Sequence, residues 1–136
     1  MGCKFVAADE DDITLSSHID LDLQKPMSGF TWVKQNAVDE SVRIFNRRGS
    51  GFNKGWSFNL SDKVAFTFFG VASYNGDALS THTDWVPVGF SLGSDDSLEL
   101  YYEGSEVGSF TTSSTIKTAN VDLALRAGIV TGKQSV

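Results

Sequence analysis

The stretch GWSFNLSDKVAFTF, residues 55–68, decides the fold class because apolar and polar side chains alternate along its first half. Trp56, Phe58 and Leu60 share one side of that half. Neighbouring side chains of a β-strand point to opposite faces, so this period of two predicts a strand with one apolar face. The second half is apolar on both faces, which is typical of a central strand. The polar turn at residues 61–62 is short enough to join the two strands as a hairpin.

The same alternation recurs along the rest of the chain. It is found at residues 30–33, 41–44, 86–90, 98–102 and 121–129. Turn-forming residues separate these segments at 48–51, 93–96 and 103–105. About ten short strands without helical spacing predict an all-β fold with no substantial helix. Several strands are apolar on one face only, which favours an antiparallel two-sheet sandwich. Trp32 and Trp56 are in phase with apolar neighbours, so both are expected in the core.

Length and charge narrow the classes of function. The 136 residues match a single domain, 1–136. The net charge of -6 disfavours nucleic-acid binding, which needs a basic surface. Cys3 is the one cysteine, so no intrachain disulfide is expected. No apolar run is long enough for a membrane span. Acidic residues 9–12 follow the N-terminal apolar run directly, so no signal peptide is expected. We therefore expect the protein to be synthesised in a cytoplasm.

Several segments resemble laminin-G-like, concanavalin-A-like jelly-roll domains. DDITLSS at 11–17, IDL at 19–21 and GFTWVK at 29–34 are similar to the opening strands of that family, and LELYYEGSEV at 98–107 is similar to one of its hairpins. The resemblance implies a jelly-roll sandwich. Domains of this family end with a strand that returns beside the first, whereas this chain stops soon after Ile129. We therefore expect a sheet edge that lacks its last strand and that a neighbouring molecule completes.

Catalysis is not expected. Glycosidases with jelly-roll folds use two carboxylates on one strand face, and the resemblance implies an E-x-D-x-x-E signature that is absent here. The nearest spacings are those of Asp20 with Asp22 and of Glu99 with Glu103. We interpret these acids as solvated carboxylates. A serine triad would need His18 or His82, and no serine has the surrounding elbow motif. Cys3 has no paired histidine. The chain is therefore predicted to be non-enzymatic.

Glycan recognition is predicted for the long loop at residues 71–84 and the tryptophan that follows it, because aromatic rings beside amides and acids suit sugars. The candidate ligand-binding residues are Tyr74, Asn75, Asp77, His82, Asp84 and Trp85. For Trp85 the alternative is core packing, and for the polar residues it is a solvated loop. Ca²⁺ is a further option, because Asn75, Asp77 and Asp84, or residues 9–12, offer the oxygen ligands that this ion takes. We interpret both groups as turn-forming, solvated acids, so no metal site and no cofactor is assigned.

A basic segment is the candidate for docking a protein partner. It comprises Arg43, Arg47, Arg48 and Lys54. A patch of this kind would meet an acidic partner surface, and the alternative is a solvated hairpin. The glycines at 49–51 do not open a helix, so a phosphate-binding loop is excluded.

Two functions from different classes follow. The first is a structural or interaction protein of a virus particle, such as a capsid decoration or a tail appendage, because laminin-G-like sandwiches of this kind occur in bacteriophage structural proteins. Its partners would be capsid or other virion proteins and further copies of the chain, and its location would be the virion. The alternative is a lectin-like carbohydrate-binding module, with or without Ca²⁺. A hydrolase is the least favoured hypothesis, and neither nucleic acid nor membrane is expected as a partner.

Overall fold

The computed structural model describes residues 12–15, 25–34, 42–49, 53–79, 84–112 and 123–126. Ten β-strands run through these ranges. In chain order they are β1 (Asp12–Leu15), β2 (Met27–Val33), β3 (Val42–Arg48), β4 (Gly55–Leu60), β5 (Lys63–Phe68), β6 (Ala72–Ala78), β7 (Val86–Leu92), β8 (Ser97–Tyr102), β9 (Ser105–Thr111) and β10 (Leu123–Arg126). The large sheet has the order β1-β10-β3-β4-β5-β6, and the small sheet has the order β2-β7-β8-β9.

The predicted fold class is confirmed in the part of the chain that the structure describes. Every strand pair there is antiparallel, and the secondary structure contains strands but no helix. It follows that these ranges hold no helix long and apolar enough to cross a membrane. The molecule is a sandwich of two antiparallel sheets.

The stretch that decided the fold class forms the hairpin of β4 and β5, as predicted. Leu60 pairs with Val64, and the N–H of Ser61 donates to the carbonyl of Lys63 at 2.9 Å. The apolar side of β4 is buried, with Trp56 only 3% exposed. The hairpin therefore lies in the large sheet with this face turned toward the small sheet.

Phe90 of β7 lies at the centre of the core between the sheets. Its ring centroid is 4.7 Å from that of Phe66, 5.2 Å from that of Phe58 and 6.0 Å from that of Trp56. These three rings belong to β4 and β5 of the large sheet. A single side chain of the small sheet thus packs against two strands of the opposite layer.

The predicted hairpin turn at residues 103–105 is confirmed between β8 and β9. Tyr102 pairs with Ser105, and Glu103 and Gly104 between them have φ angles of 52° and 78°. Two consecutive positive φ angles are typical of the type I′ turn, whose twist matches that of the strands on either side. A β-bulge follows in β9, because Leu100 pairs with Gly108 while Tyr101 pairs with Glu106.

The prediction of a long loop at residues 71–84 is wrong for the first half of that segment. Residues 72–78 form β6, the edge strand of the large sheet, where Tyr74 pairs with Phe66. The segment contains few β-branched or apolar residues, so its composition did not indicate a strand. It is a strand because β5 supplies the backbone hydrogen bonds. Gly76 makes a close approach to β9, since a Cβ there would lie 2.7 Å from the carbonyl oxygen of Val107.

The prediction that the sheet lacks its last strand is also wrong. β10 runs beside β1, with Leu15 opposite Leu123, and on its other side it pairs with β3. The returning strand is therefore present within the segment predicted at 121–129, of which the structure describes 123–126. Apolar alternation indicates that a segment is a strand, but it does not indicate which strands will be its neighbours.

Candidate functional site

The outer face of the small sheet carries the exposed aromatic side chains. Phe30, Trp32 and Trp85 are 63%, 58% and 55% exposed. Phe30 and Trp32 alternate along β2 with half-buried inward positions. Trp85 directly precedes Val86, which is buried in the core, so the alternation of β7 turns Trp85 outward. We call Phe30, Trp32 and Trp85 the aromatic face.

The prediction that Trp32 lies in the core is wrong, and the packing of β2 explains why. Gly29 is on the inward side of β2, and a Cβ there would collide with the ring of Phe90. The Phe90 ring therefore occupies the place that an inward aromatic side chain of β2 would need. The two large rings of this strand, Phe30 and Trp32, point to the opposite side. For Trp56, in contrast, the predicted core position is confirmed.

One row of residues crosses the whole small sheet on its outer face. Phe30 pairs with Gly89, Gly89 with Tyr101 and Tyr101 with Glu106. The ring of Phe30 lies over Gly89, since a Cβ at that glycine would be 3.0 Å from Cδ2 of Phe30. In the next row Trp32 pairs with Pro87. Because Gly89 has no side chain and that of Pro87 is small, the rings of Phe30 and Trp32 project above their neighbours on β7.

The other half of this outer face is acidic. The hydroxyl of Tyr101 donates a hydrogen bond to the carboxylate of Glu99, and Glu106 stands opposite Tyr101 in β9. The hydrogen bond to Glu99 is the largest cause of a raised pKa of Tyr101, followed by desolvation and by the negative charges of Glu99 and Glu106. The hydrogen bond places the carboxylate of Glu99, and the strand register that of Glu106, close to this phenol. Rings on β2 and at the start of β7 thus face carboxylates on β8 and β9.

The Glu99→Gln variant should lower the pKa of Tyr101 toward the ordinary tyrosine value of about 10. The substitution removes the negative charge that opposes ionisation of the phenol. An NMR titration of the tyrosine ring carbons measures the change. Tyr102 is the internal control, because burial is the largest cause of its raised pKa. An unchanged Tyr101 titration in the variant would contradict the assigned hydrogen bond.

The residues predicted for ligand binding do not form one surface. Tyr74 points into the sandwich, where its ring centroid is 5.9 Å from that of Phe68 and 5.5 Å from that of Phe110. Asn75 and Asp77 alternate with it and are exposed on β6, the edge strand of the large sheet. His82 lies outside the described residues. Asp84 and Trp85 precede β7 of the small sheet, and both are exposed.

Of the predicted residues that the structure describes, Trp85 is the one on the aromatic face. Its alternative interpretation as a core residue is wrong, because it is more than half exposed. Within the described ranges no group of three or more His, Cys, Asp or Glu side chains is placed to hold a metal ion. The acidic residues 9–11 lie outside those ranges. Exposure of large apolar side chains was the signal for the site, and the alternation pattern alone could not reveal it.

One residue of the predicted basic patch, Arg47, does not lie at the surface. Arg47 is 1% exposed and pairs with Trp56, which lies on the core side of the large sheet. The register of β3 against β4 shifts between Arg43 and Phe45, and this bulge changes which side chains face inward. Arg43 and Arg48 are half-buried, and Lys54 is exposed. Including Arg47 in a docking surface was therefore wrong.

The outer side of the large sheet carries a polar group that the sequence did not indicate. Ser57 is buried, and Asn59 donates from Nδ2 to its Oγ at 3.1 Å. The hydroxyls of Thr67 and Ser73 hydrogen-bond at 3.0 Å on the adjacent strands. Within the described residues, Oδ1 of the buried Asn46 has no hydrogen-bond partner. These groups make the outer side of the large sheet polar, whereas the small sheet presents aromatic rings.

Known structures share this fold. No protein-family model and no curated protein sequence matches the chain. Botulinum neurotoxin type C, whose way into cells depends on interaction with two ganglioside molecules, is 11% identical with a TM-score of 0.64 over 91% of this chain and 33% of its own. Domains LG4-5 of the mouse laminin α1 chain are 16% identical with a TM-score of 0.62, over 85% of this chain and 32% of theirs.

A third similar structure is the CBM40 of the Ruminococcus gnavus IT-sialidase bound to α2,3 sialyllactose. It is 8% identical with a TM-score of 0.62, over 88% of this chain and 83% of its own. The chain thus spans about one third of the toxin and laminin chains and most of the sialidase module. At these identities the likeness shows the fold alone. The predicted laminin-G-like, concanavalin-A-like jelly-roll fold is confirmed, and the chain has the architecture of a jelly-roll β-sandwich.

Proposed function

We propose that the chain is a non-enzymatic carbohydrate-binding module that takes glycans on its aromatic face. The observation that carries this proposal is the exposure of Phe30, Trp32 and Trp85 on one side of the small sheet. Together they expose apolar surface on the order of 400 Å², about as much as the largest patch on an ordinary monomer. Patches of this size on soluble proteins are often binding surfaces. The apolar faces of sugar rings pack against such aromatic rings.

Hydrogen-bonding groups stand beside the rings, as sugar hydroxyls require. Glu99 and Glu106 present acceptor oxygens, and the Tyr101 hydroxyl both donates and accepts. From Phe30 to Glu106 the row spans three strand spacings, or roughly 14 Å. A row of this length suits a short oligosaccharide better than a single sugar. The occurrence of the same fold in the sialidase module with bound sialyllactose supports the proposal.

A glycan array followed by titration of the best ligand tests this function. We expect saturable binding that changes the tryptophan emission, because two of the three tryptophans lie on the aromatic face and the third is buried. The Trp56→Phe variant is the control, since it should retain the ligand-induced change. Repeating the array with added Ca²⁺ and with a chelator decides whether the ion takes part. Absence of any bound glycan under both conditions would overturn the proposal.

A second candidate is docking onto the protein lattice of a virus particle. The observation that favours it is the same exposed apolar area, because surfaces of this kind also mark protein interfaces. In this function the aromatic face would meet a capsid or tail protein, or another copy of the chain. Cosedimentation with particles from the natural source tests it. Binding to particles that free oligosaccharides do not compete away would favour docking over glycan recognition.

A further inference from the structure

The charges on the outer face of the small sheet bear on which glycan it takes. Two glutamates lie at its acidic side: Glu99 on β8 and Glu106 on β9. Glu106 ends the row that begins at Phe30, and Glu99 accepts the hydrogen bond of Tyr101 in that row. Both carboxylates therefore border the row of Phe30.

Two of the described lysines lie near this sheet. Lys34 follows β2 directly and continues the outward alternation of its aromatic residues. Lys25 forms an ion pair with Asp96 in the turn before β8. The described strands of the small sheet thus carry two carboxylates on the outer face, Glu99 and Glu106, and Lys34 adds one ammonium group directly after β2. The whole chain has a net charge of -6, so its long-range field has the same sign.

We propose that the preferred ligand is a glycan with protonated amino groups, an oligomer of 2-amino sugars, whose rings stack on Phe30 and Trp32 while its ammonium groups meet Glu99 and Glu106. This proposal rests on the proposed carbohydrate-binding function and names its substrate class. An ammonium group gains both from a carboxylate and from the face of an aromatic ring. A sialylated or otherwise anionic glycan meets the opposite situation, because its carboxylate would approach glutamates of like charge.

The order of the row makes both contacts available to one ligand. Phe30 and Glu106 stand at the two ends, with Gly89 and Tyr101 between them. The Tyr101–Glu99 hydrogen bond holds one carboxylate beside this path. A sugar seated on the ring of Phe30 thus leaves its neighbour within the acidic half. The spacing suits a linear oligomer in which an amino group repeats on every sugar.

The test compares a glucosamine oligomer with the N-acetylated oligomer of the same length, at weakly acidic pH, where the amine of the sugar is protonated. We expect the glucosamine oligomer to bind about 10-fold more tightly, with a preference that declines as salt is added. In the Glu99→Gln/Glu106→Gln double variant this preference should fall to about 1. Asp62→Asn removes an exposed acid from the β4–β5 turn of the large sheet and is the matched control, which should keep the preference.

Each outcome separates the two proposals. If the N-acetylated oligomer or another neutral glycan binds at least as tightly as the glucosamine oligomer, the charge preference is overturned and the carbohydrate-binding function stands. A preference that survives in the double variant also overturns it. If oligolysine of equal charge displaces the glucosamine oligomer and Trp32→Ala does not weaken that oligomer, the surface is a mere cation binder, and both proposals fall. Absence of binding to every saccharide likewise overturns both.

Discussion

The Phe90→Ala variant should lose about 3–5 kcal/mol of unfolding free energy, the range found when a buried phenylalanine is truncated. Phe90 is 2% exposed and packs against rings of the opposite sheet. Its removal leaves a cavity between the layers, because Gly29 beside it has no side chain to fill the space. The total free energy of unfolding of a domain of this size is about 5–15 kcal/mol. The variant is therefore expected to be close to the limit of stability.

Urea unfolding followed by circular dichroism measures this loss, and Phe30→Ala is the matched control. Both substitutions remove a phenylalanine ring from the small sheet. Phe90 pairs with Gly29, the residue next to Phe30, so the two rings belong to neighbouring positions on opposite faces of the sheet. Phe30 is mostly exposed, so its truncation should change stability by about 0.5 kcal/mol or less. Similar losses in the two variants would contradict the assignment of the inner and outer faces of the small sheet.

The Trp32→Ala variant should bind the glycan ligand about 30-fold more weakly, because a central tryptophan of a binding surface contributes about 2 kcal/mol or more. Its fold should be intact, since the Trp32 side chain is outside the core. Isothermal titration calorimetry gives the affinity, and thermal unfolding gives the stability of the same sample. Trp85→Ala should weaken binding in the same direction.

Asn75→Ala and Asp77→Ala provide the comparison for Trp32→Ala. Both residues are exposed, and both lie on the edge strand of the large sheet, away from the aromatic face. We expect the affinity of these two variants to equal that of the unaltered chain. A larger loss at Asp77 than at Trp32 would move the site to the segment at 71–84 that the sequence first indicated.

The site was predictable only in part. Trp85 was among the predicted ligand-binding residues and lies on the aromatic face. Phe30 and Trp32 were missed because we assigned the apolar face of each strand to the core. The alternation shows that two faces differ, but it does not show which of them packs against the other sheet. Arg47 shows the converse error, since a charged residue was placed on the surface and is buried. A bulge in β3 shifts the phase of that strand, and bulges are not visible in apolar patterning.

The alternation of side chains by itself determined the antiparallel all-β class, the β4–β5 and β8–β9 hairpins and the buried side of β4. These features depend on backbone periodicity and on turns of a few residues, so neighbours in the chain suffice to specify them. Only the tertiary structure decided that β10 lies between β1 and β3. It also decided that the ring of Phe90 packs against Gly29 on the inner side of β2. Both depend on contacts between segments far apart in the chain. The aromatic face is a consequence of the second, because the ring of Phe90 fills the interior and Phe30 and Trp32 lie outside.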